Sequence, residues 1–332
     1  MQVEVHHRFG GPAQHALRLG PMRKTLVLSM WILGACNPSH EVVTDGGTPL
    51  PDAFTASDAG HDAAPMQPDA WVPGAVTRSL TSGPYHVESG VEQTLCVTID
   101  LGNTVPMMLR GVHTHITEGS HHLVVSRADG PADPTPTPCA PLAHGVGQAI
   151  FIAESHESGL VYPSYAGLPM AAHQVIGLEL HMIDVTPDAL DIMGTVDFDL
   201  VPVDPSIREV QVLFTGSTSL NLPPHVQTTV TSLFPMTPGA VVLAMTTHTH
   251  QLGTDSTLDI TTSPTDPGMR VHESTTWSDP PLTVFDPPMT IAAGQQVRLT
   301  CVFNNTTSST VTFGTSFNDE MCFFWAYYLD PL

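Results

Sequence analysis

The sequence predicts an all-β protein, and three features point that way. Short runs rich in Val, Ile, Thr, Phe and Tyr follow one another from about residue 76 onward. Pro, Gly and Asp turns separate them, and no long segment keeps the 3.6-residue apolar period of a helix. In order the runs are "EQTLCVTIDL", "HHLVVSRA", "GQAIFIAES", "HQVIGLELHMID" and "GTVDFDLVPV". Then come "REVQVLFTG", "TTVTSLFPM", "AVVLAMTTHTH", "STLDITTS", "QQVRLTCVFNN", "TVTFGT" and "CFFWAYYL". A break near "PVDPSIRE", residues 202–209, divides them into two pieces of similar size. The expected architecture is two tandem β-sandwiches or jelly rolls, residues 76–203 and 204–332.

What precedes the first run reads differently. "MRKTLVLSMWILGAC", residues 22–36, has a basic start, a short apolar run and small residues before a cysteine. The run is too short to span a bilayer, so residues 1–36 read as a signal region whose true start is Met22. "LGAC" resembles a bacterial lipobox, which makes Cys36 a lipidation site and anchors an exported chain to a bacterial membrane, on its periplasmic or outer face. A plain secretory signal is the alternative. Residues 37–75 are rich in Pro, Asp, Ala, Gly and Ser without apolar period, and read as a disordered linker.

The charge balance removes one class of function. Ten basic residues, of which Lys24 is the only lysine, face 32 acidic ones, for a net charge of −22. No basic stripe exists to displace counterions from phosphates, so nucleic acid is excluded as a partner. With Cys36 set aside, Cys96, Cys139, Cys301 and Cys322 remain. Four cysteines in an exported chain allow three disulfide connectivities, the simplest being Cys96–Cys139 with Cys301–Cys322.

Histidine is the residue in excess, at 18. In "MTTHTHQLG", an extended strand over residues 240–250 places His248 and His250 on one face with Val242, Ala244 and Thr246. Val241, Leu243 and Met245 take the other face, toward a core. "GSHHLVVS" holds adjacent His121 and His122, which reach one ion only if the strand starts or bulges at residues 119–120. In "QVIGLELHM", His181 shares a face with Val175, Gly177 and Glu179, away from Ile176, Leu178, Leu180 and Met182. Met321, in "NDEMCFFWAYYL", precedes a cysteine. Methionine in such a place is ordinarily core filler. Beside two imidazoles, its soft thioether favours Cu(I), whereas three imidazoles suit copper or zinc.

The order H-H, isolated strand His, H-T-H, then D-E-M-C, with an upstream C-V-F, resembles the copper type II, ascorbate-dependent monooxygenases, whose members hydroxylate peptidylglycine or dopamine. The resemblance runs from about residue 85 to 328. It implies two β-sandwiches facing a cleft, with two coppers per chain. His121, His122 and His181 would form an electron-transfer site. His248, His250 and Met321 would form the catalytic site that binds O2, with Cys301–Cys322 steadying Met321. Ascorbate or another one-electron reductant would supply electrons, and a small-molecule substrate would be hydroxylated.

The match has departures. Peptide-amidating relatives carry an arginine where this chain has Thr246, and Asn and Tyr where it has Phe323 and Trp325. These three become substrate-pocket candidates for a neutral or aromatic substrate. "GVHTHITEG" repeats H-T-H at His113 and His115, which read as an ordinary polar strand face or an accessory metal pair. Glu179 and Glu320 flank ligands and are candidates to support them. Two other functions compete. One is a non-catalytic copper storage or delivery lipoprotein with the same ligands. The other is a zinc hydrolase or cupin-like oxygenase, which gives Met321 and the second histidine set no role.

Overall fold

A computed structural model describes residues 73–141 and 149–332. The signal region with Cys36 and nearly all of the linker lie outside the described residues. All regular structure among these is β. The first strands are β1 (Val76–Val87), β2 (Glu92–Asp100), β3 (Met107–Ile116), β4 (Ser120–Arg127) and β5 (Asp133–Pro138). Next are β6 (Ala149–Ala153), β7 (Glu157–Val161), β8 (Ala166–Met170), β9 (Val175–Ile183) and β10 (Leu190–Pro202). The C-terminal part begins with β11 (Arg208–Ser217), β12 (Asn221–Leu222), β13 (Val226–Pro235), β14 (Val241–His248) and β15 (Gly253–Thr261). It ends with β16 (Met269–Ser274), β17 (Thr283–Thr290), β18 (Gln296–Asn305), β19 (Val311–Thr312) and β20 (Cys322–Leu329).

A nine-stranded sheet runs through the molecule in the order β1-β10-β3-β8-β11-β20-β14-β17, with β7 also on β3. Its N-terminal and C-terminal strands meet in the middle at a parallel pair, where Arg208 and Glu209 of β11 lie beside Ala166 and Gly167 of β8. A five-stranded sheet, β5-β2-β9-β4-β6, and a four-stranded sheet, β13-β18-β15-β16, complete the layers.

Two apolar clusters result. Ile176, Leu178, Leu180 and Met182 of β9 belong to the first, with Val112 of β3 and Phe198 of β10. Leu258 and Ile260 of β15 and Leu299 and Phe303 of β18 belong to the second. Strand β20 serves both. Trp325, Tyr327 and Leu329 enter the first cluster, and Phe324 and Ala326 the second. Alternate side chains of one strand therefore meet two cores, which explains why "CFFWAYYL" is apolar at every position.

The same wall corrects the expected faces of β14. A bulge between Val242 and Ala244 shifts its register against β20. Leu243 and Ala244 enter the first cluster, whereas Val242 and Met245 enter the second. Strict alternation put Leu243 with Met245 and Val242 with Ala244; one extra residue at the bulge separates both pairs. Both disulfides join cysteines within one part of the chain, Cys96–Cys139 and Cys301–Cys322.

Candidate metal centre

The histidines of β4 and β9 come together through a bulge. His122 lies opposite His181, but the register shifts between Ser120 and His122, so His121 is the extra residue. On a regular strand, adjacent side chains point apart; the bulge brings both rings to one side. Gly119 makes the approach to this bulge possible. Its φ is +83°, and a Cβ there would stand 2.5 Å from Ile192 Cδ1.

The second pair is not built as two alternating strand residues. β14 ends at His248, and His250 lies beyond it, in the turn that leads to β15. That turn is held by Glu320, which is fully buried. Its carboxylate accepts the backbone N–H of His250 at 2.9 Å and of Leu252 at 2.7 Å. Burial pushes the Glu320 carboxyl up to about 7, although these N–H groups pull it down. Met321 follows directly and is 7% exposed.

The two histidine sets are packed ring against ring. Ring centroids are 5.1 Å apart for His121–His122, 5.0 Å for His122–His181 and 5.1 Å for His248–His250. Across the junction, His121 lies 5.7 Å from His248 and 5.5 Å from His250. Candidate ligand atoms of His121, His122 and His181 lie within 4.8 Å of one another, and so do those of His121, His248 and His250. Where the resemblance implies a cleft between the sets, here His121 is common to both.

Hydrogen bonding fixes which nitrogens are free. His250 Nδ1 donates to the Asp319 carbonyl at 2.9 Å, and His248 Nδ1 donates to the Glu154 carboxylate. Both rings therefore keep the lone pair on Nε2. His181 is the reverse, its Nε2 donating to Glu92 at 3.0 Å and its Nδ1 lying 3.4 Å from His122 Nε2. Two donors about 2.0 Å from one tetrahedral ion stand roughly 3.3 Å apart. His121 Nε2 and His122 Nδ1 are buried with no partner. Burial holds the His121 and His122 imidazoles well below their usual range and lowers His181; it brings His250 to about 3. Neutral imidazoles with unpartnered lone pairs, beside a thioether, fit a soft or borderline metal ion.

Two carboxylates in this set carry no sequence signal. Glu92 accepts from His181 and, across the junction, from the Phe317 N–H at 2.9 Å and Ser316 Oγ at 3.2 Å. Glu154 follows β6. Each is separated from its partner by scores of residues, so spacing alone could not find them.

A small cavity beside the cluster is lined by His122, Glu154, His248, His250, Met321 and Trp325, among others. A larger one, of about 210 Å³, opens on the other side of His121 and is bounded by Trp277, Phe317, Ile183, Thr186 and Glu118. Of the three expected pocket residues, Trp325 lines the small cavity. Thr246 instead donates to the Pro281 carbonyl at 2.8 Å, and Phe323 stacks with Phe214 and Phe313. His113 and His115 sit apart on an exposed face, paired with Asp199 and Glu157.

Behind the ligand strand lies His272, 3% exposed, with Thr247 Oγ1 at 3.0 Å and Thr283 Oγ1 at 2.9 Å. Burial, helped by the Arg270 charge, lowers its imidazole to about 4. The unfolded chain takes up this proton near pH 6.5, the folded chain only near 4. The stabilisation is therefore complete above pH 6.5 and is lost as pH falls toward 4, by about 3 kcal/mol. Urea unfolding between pH 7 and 4.5 should show a shallower fall for His272→Gln. Equal slopes in both proteins would exclude His272 as the source.

Fold and site together define an all-β protein with a buried multi-histidine cluster and a neighbouring methionine. Residues 214–332 match the family model described as copper type II ascorbate-dependent monooxygenase, C-terminal domain, which supports the family that the motifs resemble. A comparison with curated proteins gives no match. Among solved structures, the chain is similar to the major capsid protein P2 of bacteriophage PM2. There the identity is 8% and the TM-score 0.34, covering 77% of this chain and 97% of that one. The STIV MCP gives 8% and 0.32, covering 77% and 95%. The CBM22-1-CBM22-2 tandem domain of Paenibacillus barcinonensis Xyn10C gives 10% and 0.19, covering 79% and 95%.

Proposed function

We propose that this protein is a copper-dependent monooxygenase that hydroxylates a C–H bond of a small, neutral or aromatic substrate. The observation that carries the proposal is the convergence of four buried imidazoles and the partly buried His122 beside Met321, all donors suited to copper. His121, His122 and His181 would hold one copper, and His248, His250 and Met321 the other. Copper supplies the one-electron steps by which O2, two electrons and two protons convert R–H to R–OH and water. The chain's own residues do the rest. Glu92, Glu154 and the Asp319 carbonyl orient three of the rings, and the two apolar cores exclude water. The larger cavity supports the substrate class, because aromatic Trp277 and Phe317 line it and no lysine or arginine does. Ascorbate or another one-electron donor would serve as reductant. Export and lipid anchoring through Cys36 are part of the same proposal, supported by the motif at residues 22–36. Loss of acyl labelling in Cys36→Ser would test them.

Metal content and O2 uptake of the purified protein and of Met321→Ala test the function. The expected result is two coppers per chain and reductant-driven O2 consumption. Met321→Ala should lose that consumption while keeping one copper. Copper without O2 chemistry under any reductant would move the protein to storage or delivery. A preference for zinc would overturn the metal assignment.

A further inference from the structure

We propose that Glu154 of the first half is the positioning residue that holds His248 of the second half in its Nδ1–H tautomer, leaving Nε2 as the donor atom. The role rests on the reading of His248 as a ligand, but the tautomer itself does not depend on any bound metal.

The placement begins with register. Ala153, the last residue of β6, lies opposite Leu123 of β4. Glu154, one step further, leaves the sheet at the end where His121 and His122 stand, and its side chain reaches β14. There Oε1 contacts His248 Nδ1, with both side chains 5% exposed. An ionised carboxylate only accepts hydrogen bonds, so the imidazole must donate from Nδ1.

The surroundings give this carboxyl no other reason to be buried. Val124, Ile152, Phe214 and Trp325 line the same cavity and offer the carboxylate no hydrogen bond within it. Desolvation works against a carboxylate in such a place. Its second oxygen, Oε2, is buried with no partner. A carboxylate kept there against that cost, with one oxygen on a candidate ligand and the other on the cavity, is placed to act on the ligand. His250 is met by backbone groups instead, with the Asp319 carbonyl on its Nδ1. A carboxylate raises imidazole basicity more than a carbonyl does, so His248 becomes the stronger donor of the pair. The second half supplies the ring, and the first half decides which nitrogen it presents.

The test uses the full-length protein labelled with ¹⁵N-histidine, metal-free, with His248 assigned by the signal lost in His248→Asn. In the wild type His248 should show a protonated Nδ1 and a bare Nε2. Glu154→Leu, which keeps the volume and removes the acceptor, should shift the population toward Nε2–H and weaken Cu(I) binding roughly 10- to 100-fold. Glu154→Gln, whose amide oxygen still accepts, should keep the tautomer, move the Nδ1–H resonance upfield and restore most of the affinity. His248 found as Nε2–H in the wild type would overturn the proposal. So would an unchanged tautomer in Glu154→Leu or, if that variant does not fold, an unchanged Nδ1–H resonance in Glu154→Gln. A wild type that binds no Cu(I) would instead defeat the copper reading, and the nitrogen shifts would still judge Glu154.

Discussion

Glu320→Ala is expected to destabilise the protein by about 3–5 kcal/mol and to dismantle the turn that presents His250. The side chain is fully buried, and its two oxygens separately accept the N–H groups of His250 and Leu252. Truncation leaves two backbone donors enclosed without acceptors, at about 1–3 kcal/mol each, and adds a void. Glu320→Gln should cost less, because one oxygen remains, yet more than a surface change. Its amide NH2 must face a backbone N–H that also donates. Urea unfolding gives both numbers, and the imidazole resonances of His250 report the turn separately. A loss below about 1 kcal/mol in Glu320→Ala would mean that water replaces the carboxylate, and that the turn is held by its other contacts.

Gly216→Ala should cost about 3 kcal/mol through a different mechanism. Gly216 lies opposite Phe323 on the pair β11–β20, and the Phe323 ring crosses the space that a side chain would need. A Cβ at residue 216 would overlap the Cys322 carbonyl oxygen and Phe323 Cγ, and would stand 2.6 Å from Phe323 Cα. Two of these obstacles are backbone atoms, so a rotamer change cannot relieve them and the strands must separate. The displacement falls one residue from Met321, at the start of β20. Combining Gly216→Ala with Phe323→Ala should recover only part of the loss, since the ring is removed and the backbone is not. Full recovery in the double variant would assign the whole conflict to the ring.

Much of this architecture was legible in the sequence, for reasons that can be located. Runs rich in β-branched and aromatic residues marked most of the inner strands. The apolar face of β9, Ile176 to Met182 at every second residue, lies in the first core as its alternation requires. Strands β1 and β17 were missed because both carry proline, at Pro84 and at Pro287 and Pro288. They occupy the two ends of the nine-stranded sheet, where a missing N–H is tolerated. On β14 the alternation failed at the bulge, which adds a residue without any local signature, and the strand stopped before His250. The need for a bulge beside His121 was readable, since adjacent histidines cannot otherwise share a side. Glu92 and Glu154 were invisible. Their significance arises from a strand brought alongside by the fold, and nothing near them in sequence announces it.

The two-sided burial of β20 bears on how the protein can be divided. A polypeptide beginning at residue 214 starts within β11, after Arg208 and Glu209, the residues that pair with β8. It would keep its own disulfide and the second core, yet turn Leu243, Trp325, Tyr327 and Leu329 toward water. Such a face, next to a shortened strand with open N–H and C=O groups, is a template for self-association. The segment that matches a known domain is therefore expected to self-associate when it is produced by itself, which size-exclusion chromatography of residues 214–332 would check. The strands that precede it cover that apolar face in the whole chain.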